Sequence, residues 1–332
     1  MRLVQHKCAI EFAISYMNSY TAMVTADQLM GDGKMSPEQK DVLSRCNIYI
    51  IAARPVAKYK PESISHENDR FGGVLTYRIA GAERLLPFDG YPWKLEDDAI
   101  HLACPYPHFE VHALNPEGNL VTYMPANAIA TMYTLSEDEH ADLNAFQVLY
   151  VGQAIGDGSR GAVDRLISHS TLQKILARAP YDHPDQEIAL FMYQFDHSKV
   201  LSSMDGLTDD DIGDDENDAR LLKGIPKPPE KREAIGVIEA ALIRYFQPVY
   251  NEKFKNKFPH TKQKVLKPFY DLGISGLFVE LDSSELGIFL SSPTADAANH
   301  HLVMFDLVAP LSRASYFDVL GISEMPGIIK AT

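Results

Sequence analysis

The chain has 332 residues and a mass of 37.0 kDa, with 45% hydrophobic and 23% charged residues, a balance that excludes disordered and fibrous classes and leaves room for two domains or one large one. A net charge of -14 excludes a protein that coats nucleic acid with its whole surface, because such binding is driven by phosphate neutralisation and counterion release. No apolar run is long enough to span a bilayer, and Lys7 and Glu11 interrupt the opening segment, so the expected compartment is the cytoplasm.

In chain order, residues 4–30 carry a helical spacing of apolar residues. From Ile48 onward, short apolar runs such as IYIIAA, VLTYRI and FEVHAL, separated by Pro, Gly and Asn, predict strands. Together these give an N-terminal α+β module over residues 1–120. Cys8, Cys46 and Cys104 are odd in number and widely spaced, which argues against a disulfide framework. AIATMYTL and AFQVLYVGQA then predict two antiparallel strands joined by SEDEHADLN. A helix is expected from Arg160 to Ala179 after the turn sequence GDGS, followed by a strand in EIALFMYQF. The stretch 203–220 is acidic, with Asp209, Asp210, Asp211, Asp214, Asp215, Glu216 and Asp218 and no basic residue before Arg220. Pro229 and Glu230 suit the first turn of the helix KREAIGVIEAALIRYF, which stops at Gln247–Pro248. Between Lys223 and Lys267 there are eleven Lys or Arg against four Glu, the one place where a local nucleic-acid contact is electrostatically reasonable. Beyond it, GLFVELD, LGIFLS and HLVMFDLV are strands of a C-terminal segment, residues 261–332, able to complete a sheet begun by the N-terminal module.

Two of the helices turn polar residues toward their apolar faces. On a wheel, Glu239 falls within the stripe of Ile235, Ile238, Leu242 and Phe246. Arg165 and His169, spaced i,i+4, share the face of Ala162, Leu166, Leu172 and Leu176. A carboxylate on a packing face must be neutralised or find a cation. A buried ion pair of Arg165 with Glu239, beside a core histidine, is one solution; a catalytic site is the other. In FQVLYVGQ, period-2 alternation puts Val148, Tyr150 and Gly152 on one face, a phenol beside bare backbone that a ligand can approach.

Taken in order, Thr131-Met132-Tyr133, Tyr150-Val151-Gly152, Arg165 and His169 on a helix, Glu239 on a later helix and Asn251 in QPVYN resemble the GIY-YIG nuclease superfamily over residues 128–255. The first motif lacks its glycine and isoleucine, with Tyr123 in LVTYMP as a competing choice, and the link between the two tyrosine strands exceeds the compact family hairpin. The resemblance implies an α+β fold in which residues 121–260 form a small antiparallel sheet flanked by helices, interrupted by the acidic insertion, with an additional β-rich module from the N- and C-terminal segments. It implies a metal-dependent endonuclease acting on nucleic acid, DNA ahead of RNA, with Mg²⁺ or Mn²⁺ held by Glu239 as sole protein ligand. Arg165 would hold a phosphate oxygen. Tyr150, helped by His169 or Tyr133, would orient or activate water, and Gly152, Gln153, Asn251, Lys253 and Lys255 would meet the substrate. The alternatives are a nuclease-fold protein without catalysis that binds nucleic acid or a protein partner, and a nuclease held inactive by its terminal module; a homodimer is compatible with either.

Two other signals compete. HLACPYPHFEVH places His101, Cys104, His108 and His112 at a spacing that also occurs in zinc sites, although His108 and His112 on one strand are too far apart to share an ion. The acidic stretch is a solvated loop in the simplest reading; in a sharper one it covers the basic segment and competes with nucleic acid.

Overall fold

The computed structural model describes residues 10–30, 35–95, 99, 101–134, 138–154, 166–167, 170–203, 219, 228–309 and 314–332. The first part of the chain gives β1 (Glu11–Met17), β2 (Tyr20–Thr25), α1 (Ala26–Met30), α2 (Pro37–Ser44) and β3 (Ile48–Pro55). Residues 56–144 carry β4 (Lys58–Tyr59), β5 (Ser65–Glu67), β6 (Arg70–Ile79), β7 (Ala82–Pro92), β8 (His101–Ala103), β9 (Glu110–Leu114), β10 (Leu120–Pro125) and α3 (Ala126–Thr134). The chain continues through β11 (Ala145–Gln153), α4 (Ser170–Asp182), β12 (Gln186–Gln194), β13 (Ser198–Ser203), α5 (Lys231–Phe246), α6 (Lys267–Asp271), β14 (Ile274–Asp282), β15 (Phe289–Ser292), β16 (Ala295–Ala298), β17 (His300–Asp306), α7 (Tyr316–Val319) and β18 (Ile328–Lys330).

Two sheets enclose α5. One runs β16-β15-β11-β3-β12-β2, the other β13-β1-β14-β17-β18, so the C-terminal strands extend a sheet begun by β1. Ile235, Val237, Ile238, Ala240, Ala241, Leu242, Ile243 and Phe246 are buried on nearly every side of α5, a wider apolar surface than the single stripe expected, because sheets cover the helix from two directions. Reciprocal bonds between Glu230 and Glu233 start it, and Gln247, left-handed at φ 46, ends it before Pro248. The outer face of the six-stranded sheet is covered by α1, α2 and α4, with Leu29, Leu43, Leu172 and Ile175 packing on Tyr49, Ile51, Leu149 and Leu190.

Residues 56–144 build a core of their own from Tyr59, Phe71, Leu75, Phe88, Val111, Ala126 and Ile129, among others, beneath the β4-β6-β5 sheet with β7 and the β10-β9-β8 sheet. The sequence-drawn boundary at residue 120 runs through this core, since Val111 packs with Ala126 and Ile129. Arg54, 2% exposed, ties the insertion to the main sheet: it pairs with Glu187 at 2.5 Å, donates to Thr131 Oγ1 at 3.0 Å and to the Leu143 carbonyl at 3.1 Å, and lies over the Phe146 ring.

Several expectations are corrected. Residues 11–25 are strands, not helix. β1 lies between β13 and β14 with both faces covered, so its near-continuous apolar run is indistinguishable by spacing from a helical pattern. Residues 128–134 of AIATMYTL belong to the helix α3, which buries Ala126, Ile129, Ala130 and Thr134 at helical spacing, and the antiparallel partner of β11 is β3. The alternation expected in β11 breaks at a register shift between Val148 and Tyr150: Val148 faces α5, while Leu149 and Tyr150 both join the core under α4. Most of the acidic insertion lies outside the described residues.

Candidate active site at the edge of a central strand

The register of β3 and β11 puts Tyr49 directly opposite Gly152, with Ile48 opposite Gln153 and Ile51 opposite Tyr150. Tyr49 sits on the face of β3 that looks toward α4, and its ring lies 5.9 Å from that of Tyr150, tilted by 34°. Gly152 is what permits this. A Cβ there would stand 2.5 Å from the Tyr49 Cζ and hydroxyl and 2.8 Å from Tyr150 Cε1, so the bare backbone expected to admit a ligand is instead covered by the Tyr49 ring. The Tyr49 side chain and Thr171, at the start of α4, lie within hydrogen-bonding reach of the Tyr150 hydroxyl. Burial, and then the negative charge of Glu239, push the Tyr150 phenol above its ordinary value.

The remaining residues come from the outer edge of β11. β15 covers that edge only along Ala145–Gln147, which leaves the outward backbone groups of the next residues to find other partners. Tyr250 N donates to the Leu149 carbonyl at 3.1 Å. Asn251, 8% exposed, uses its whole amide on one residue, accepting from Val151 N at 2.9 Å and donating to Val151 O at 2.8 Å. The Gln153 backbone amide meets the carboxyl of Glu239. A strand edge that in an ordinary sheet would pair with another strand is thus closed by one amide side chain and one acid.

Glu239 is the half-buried residue in the otherwise buried middle of α5. Burial raises its carboxyl to about 7, opposed by the Gln153 amide and by the charge of Lys253. Among the described residues no group of three or more His, Cys, Asp or Glu could hold a metal ion. A single half-buried carboxylate still suits one hard divalent cation, which accepts one or two carboxylates and keeps several waters. Glu239 fits that role because only one backbone amide and the field of one lysine compete for its charge among the described residues.

The structure therefore brings Tyr150, Gly152, Gln153, Glu239, Asn251 and Lys253 together. Tyr133 is not with them: it lies on α3, its hydroxyl donating to the Asp89 carbonyl, its ring against Phe88 in the inserted core. Tyr123 is exposed on β10 opposite His112. Asn251 braces β11 with both its amide oxygen and its amide nitrogen. Lys255 is tied through its carbonyl, which accepts from Arg244 Nη1 at 2.9 Å. Arg165 and His169 lie outside the described residues. His108 Nδ1 approaches the Cys104 carbonyl at 3.1 Å, and His112 pairs with Glu110 at 3.2 Å, so these histidines have local partners.

No protein-family model, curated protein or solved structure matches the chain. The residue that the sequence reading missed is Tyr49. Its local signal is Asn47-Ile48-Tyr49 at the head of β3, a strand that pairs with β11 across about a hundred residues of sequence. Asn47 is itself structural, bonded through its side-chain amide to Phe195 N and O at 3.1 Å each and through its carbonyl to Ala154 N at 2.9 Å. It locks the starts of β3 and the ends of β11 and β12 together.

Proposed function

We propose that this chain is a metal-dependent phosphodiesterase of the GIY-YIG type that cuts nucleic acid, DNA ahead of RNA. The observation that carries the reading is the joint placement of Tyr49, Tyr150 and Glu239 around the edge of β11, with Gly152 making room for the tyrosine pair and Asn251 holding the edge. Asn47-Ile48-Tyr49 takes the place that Thr131-Met132-Tyr133 was expected to fill in the first motif. It keeps the isoleucine and tyrosine, and only the glycine is replaced.

Glu239 is the residue that would hold Mg²⁺ or Mn²⁺, and the ion when bound supplies positive charge to the phosphate and the departing oxygen. The chain's own groups do the rest. At neutral pH the Tyr150 phenol keeps its proton and orients water, since burial and the Glu239 charge both disfavour phenolate. Neutralising Glu239 by any cation removes the second of these effects and brings Tyr150 closer to acting as a base. Tyr49, in reach of the Tyr150 hydroxyl, holds that hydroxyl in place. Arg165, by its place in the sequence pattern, is assigned to a phosphate oxygen, for which a planar donor fork is suited, and His169 to support of the base.

The test is incubation of the purified chain with supercoiled plasmid and with single-stranded DNA, with Mg²⁺, Mn²⁺ or EDTA. Nicking that requires the ion and disappears in Glu239→Gln supports the reading. Binding without cleavage under every condition, unchanged by Glu239→Gln, would replace it with the non-catalytic alternative.

A further inference from the structure

The segment after Asn251 is basic and irregular, yet firmly anchored. Residues 252–264 contain Lys253, Lys255, Lys257, Lys262 and Lys264 against the single acid Glu252, in a chain of net charge -14. Phe258 is buried against Phe305, ring centroids 5.0 Å apart, and Phe254 packs on Phe258. Arg244 Nη1 holds the Lys255 carbonyl, Gln263 Nε2 donates to the Lys257 carbonyl at 3.1 Å, and Thr332 N donates to the Pro259 carbonyl at 3.1 Å. The segment leaves α5 beside Glu239, where the Lys253 charge reaches the carboxyl, and returns with Val265 in van der Waals range of the Gly236 position, one turn earlier on a neighbouring side of the helix. Its aromatic residues point in and its lysines point out.

Those lysines differ from others in the molecule. Lys231, Lys267 and Lys330 each pair with a carboxylate, whereas Lys253, Lys257, Lys262 and Lys264 are exposed and make no ion pair among the described residues. Unneutralised cations on an anchored loop are costly to keep near one another and lose little freedom on meeting a polyanion. We infer that Lys257, Lys262 and Lys264, with Lys253, form a fixed track for the phosphate backbone of a nucleic-acid strand running past Glu239. This rests on the reading of the substrate as nucleic acid and extends it from the cutting site to the surface that holds the flanking strand.

The experiment uses the full chain carrying Glu239→Gln in EDTA, so that binding is read without cleavage. Fluorescence anisotropy with labelled duplex and single-stranded oligonucleotides gives Kd as a function of salt. Lys257→Gln, Lys262→Gln and Lys264→Gln together should weaken binding and make the log–log salt slope shallower by about one per lysine, as expected for lost phosphate contacts. Neutralising the paired Lys231, Lys267 and Lys330 changes net charge equally and should move the slope much less. An unchanged slope in the first triple variant, or an equal change in both, overturns the track. The two readings fail separately: a lysine-dependent slope in a chain that never nicks plasmid upholds the track and removes the nuclease, while nicking with an unchanged slope does the reverse.

Discussion

A glutamine in place of Glu239 keeps the shape of the side chain and the oxygen that meets the Gln153 amide, and removes only the ionisation. The folded carboxyl holds its proton up to about 7, against an ordinary value of 4.5 that the unfolded chain would show. Below 4.5 both states are protonated and the acid costs nothing. As pH rises between the two values the unfolded chain ionises first, so the folded state loses ground, and above about 7 the full penalty is in place. The interval corresponds to about 3 kcal/mol at roughly 1.4 kcal/mol per pH unit. Glu239→Gln should therefore be close to neutral for stability near pH 4.5 and stabilising by about 3 kcal/mol near pH 8, while abolishing metal-dependent cleavage, a trade between stability and activity. Urea unfolding of both proteins in EDTA at the two pH values measures this. Millimolar Mg²⁺ at the higher pH should then stabilise the wild-type chain and not the variant, because only the former gains a ligand of the native state. Equal differences at both pH values, or a less stable variant at high pH, would refute the claim that Glu239 is an acid held in an unfavourable setting.

Gly152→Ala should cost about 1–3 kcal/mol by overpacking against Tyr49, read as a lowered urea midpoint, and should lower cleavage by displacing the tyrosine pair. Asn251→Ala strands the Val151 N–H and C=O at a buried edge and should destabilise by about 2–6 kcal/mol, at roughly 1–3 kcal/mol for each unsatisfied group, with no selective effect on KM. Tyr49→Phe and Tyr150→Phe should each lower kcat, by up to ~10²–10⁴ if proton transfer is lost, while Tyr133→Phe leaves cleavage of plasmid at the wild-type rate. A Tyr133 variant as impaired as the Tyr49 variant would restore the first-motif assignment drawn from sequence.

Local signals carried much of the molecule. The bounds of α5 follow from Glu230, Glu233 and Gln247–Pro248, and the inward placement of Glu239 follows from helical periodicity alone. Tyr150, Gly152 and Asn251 were legible as motif residues, but the roles of two of them were not. Gly152 reads in sequence as open space, and only the cross-strand register shows which ring fills it. The side chain of Asn251 suits either a phosphate or a strand edge, and only the end of β15 at Ser292 explains why an edge needed closing. β1 resembles a helix in its spacing because burial on both faces erases the period-2 pattern. Tyr49 was out of reach because pairing of strands distant in sequence leaves no local trace, and an intervening helix with a tyrosine offered a nearer substitute.

The insertion has a consequence for how the site comes into being. Pro55 and Ala145 leave and enter neighbouring antiparallel strands at the same end of the sheet, so residues 56–144 form a closed detour in what is geometrically a hairpin. The entropy of closing such a detour grows only slowly with its length, and the detour carries its own core, so its size does little to weaken the strand pair. Its effect is on timing. Tyr49 leaves the ribosome long before Tyr150, and during synthesis β3 waits with exposed edges until the detour has folded and β11 arrives. The tyrosine pair can form only once β11 has been made, and a product ending before Tyr150 would not possess it.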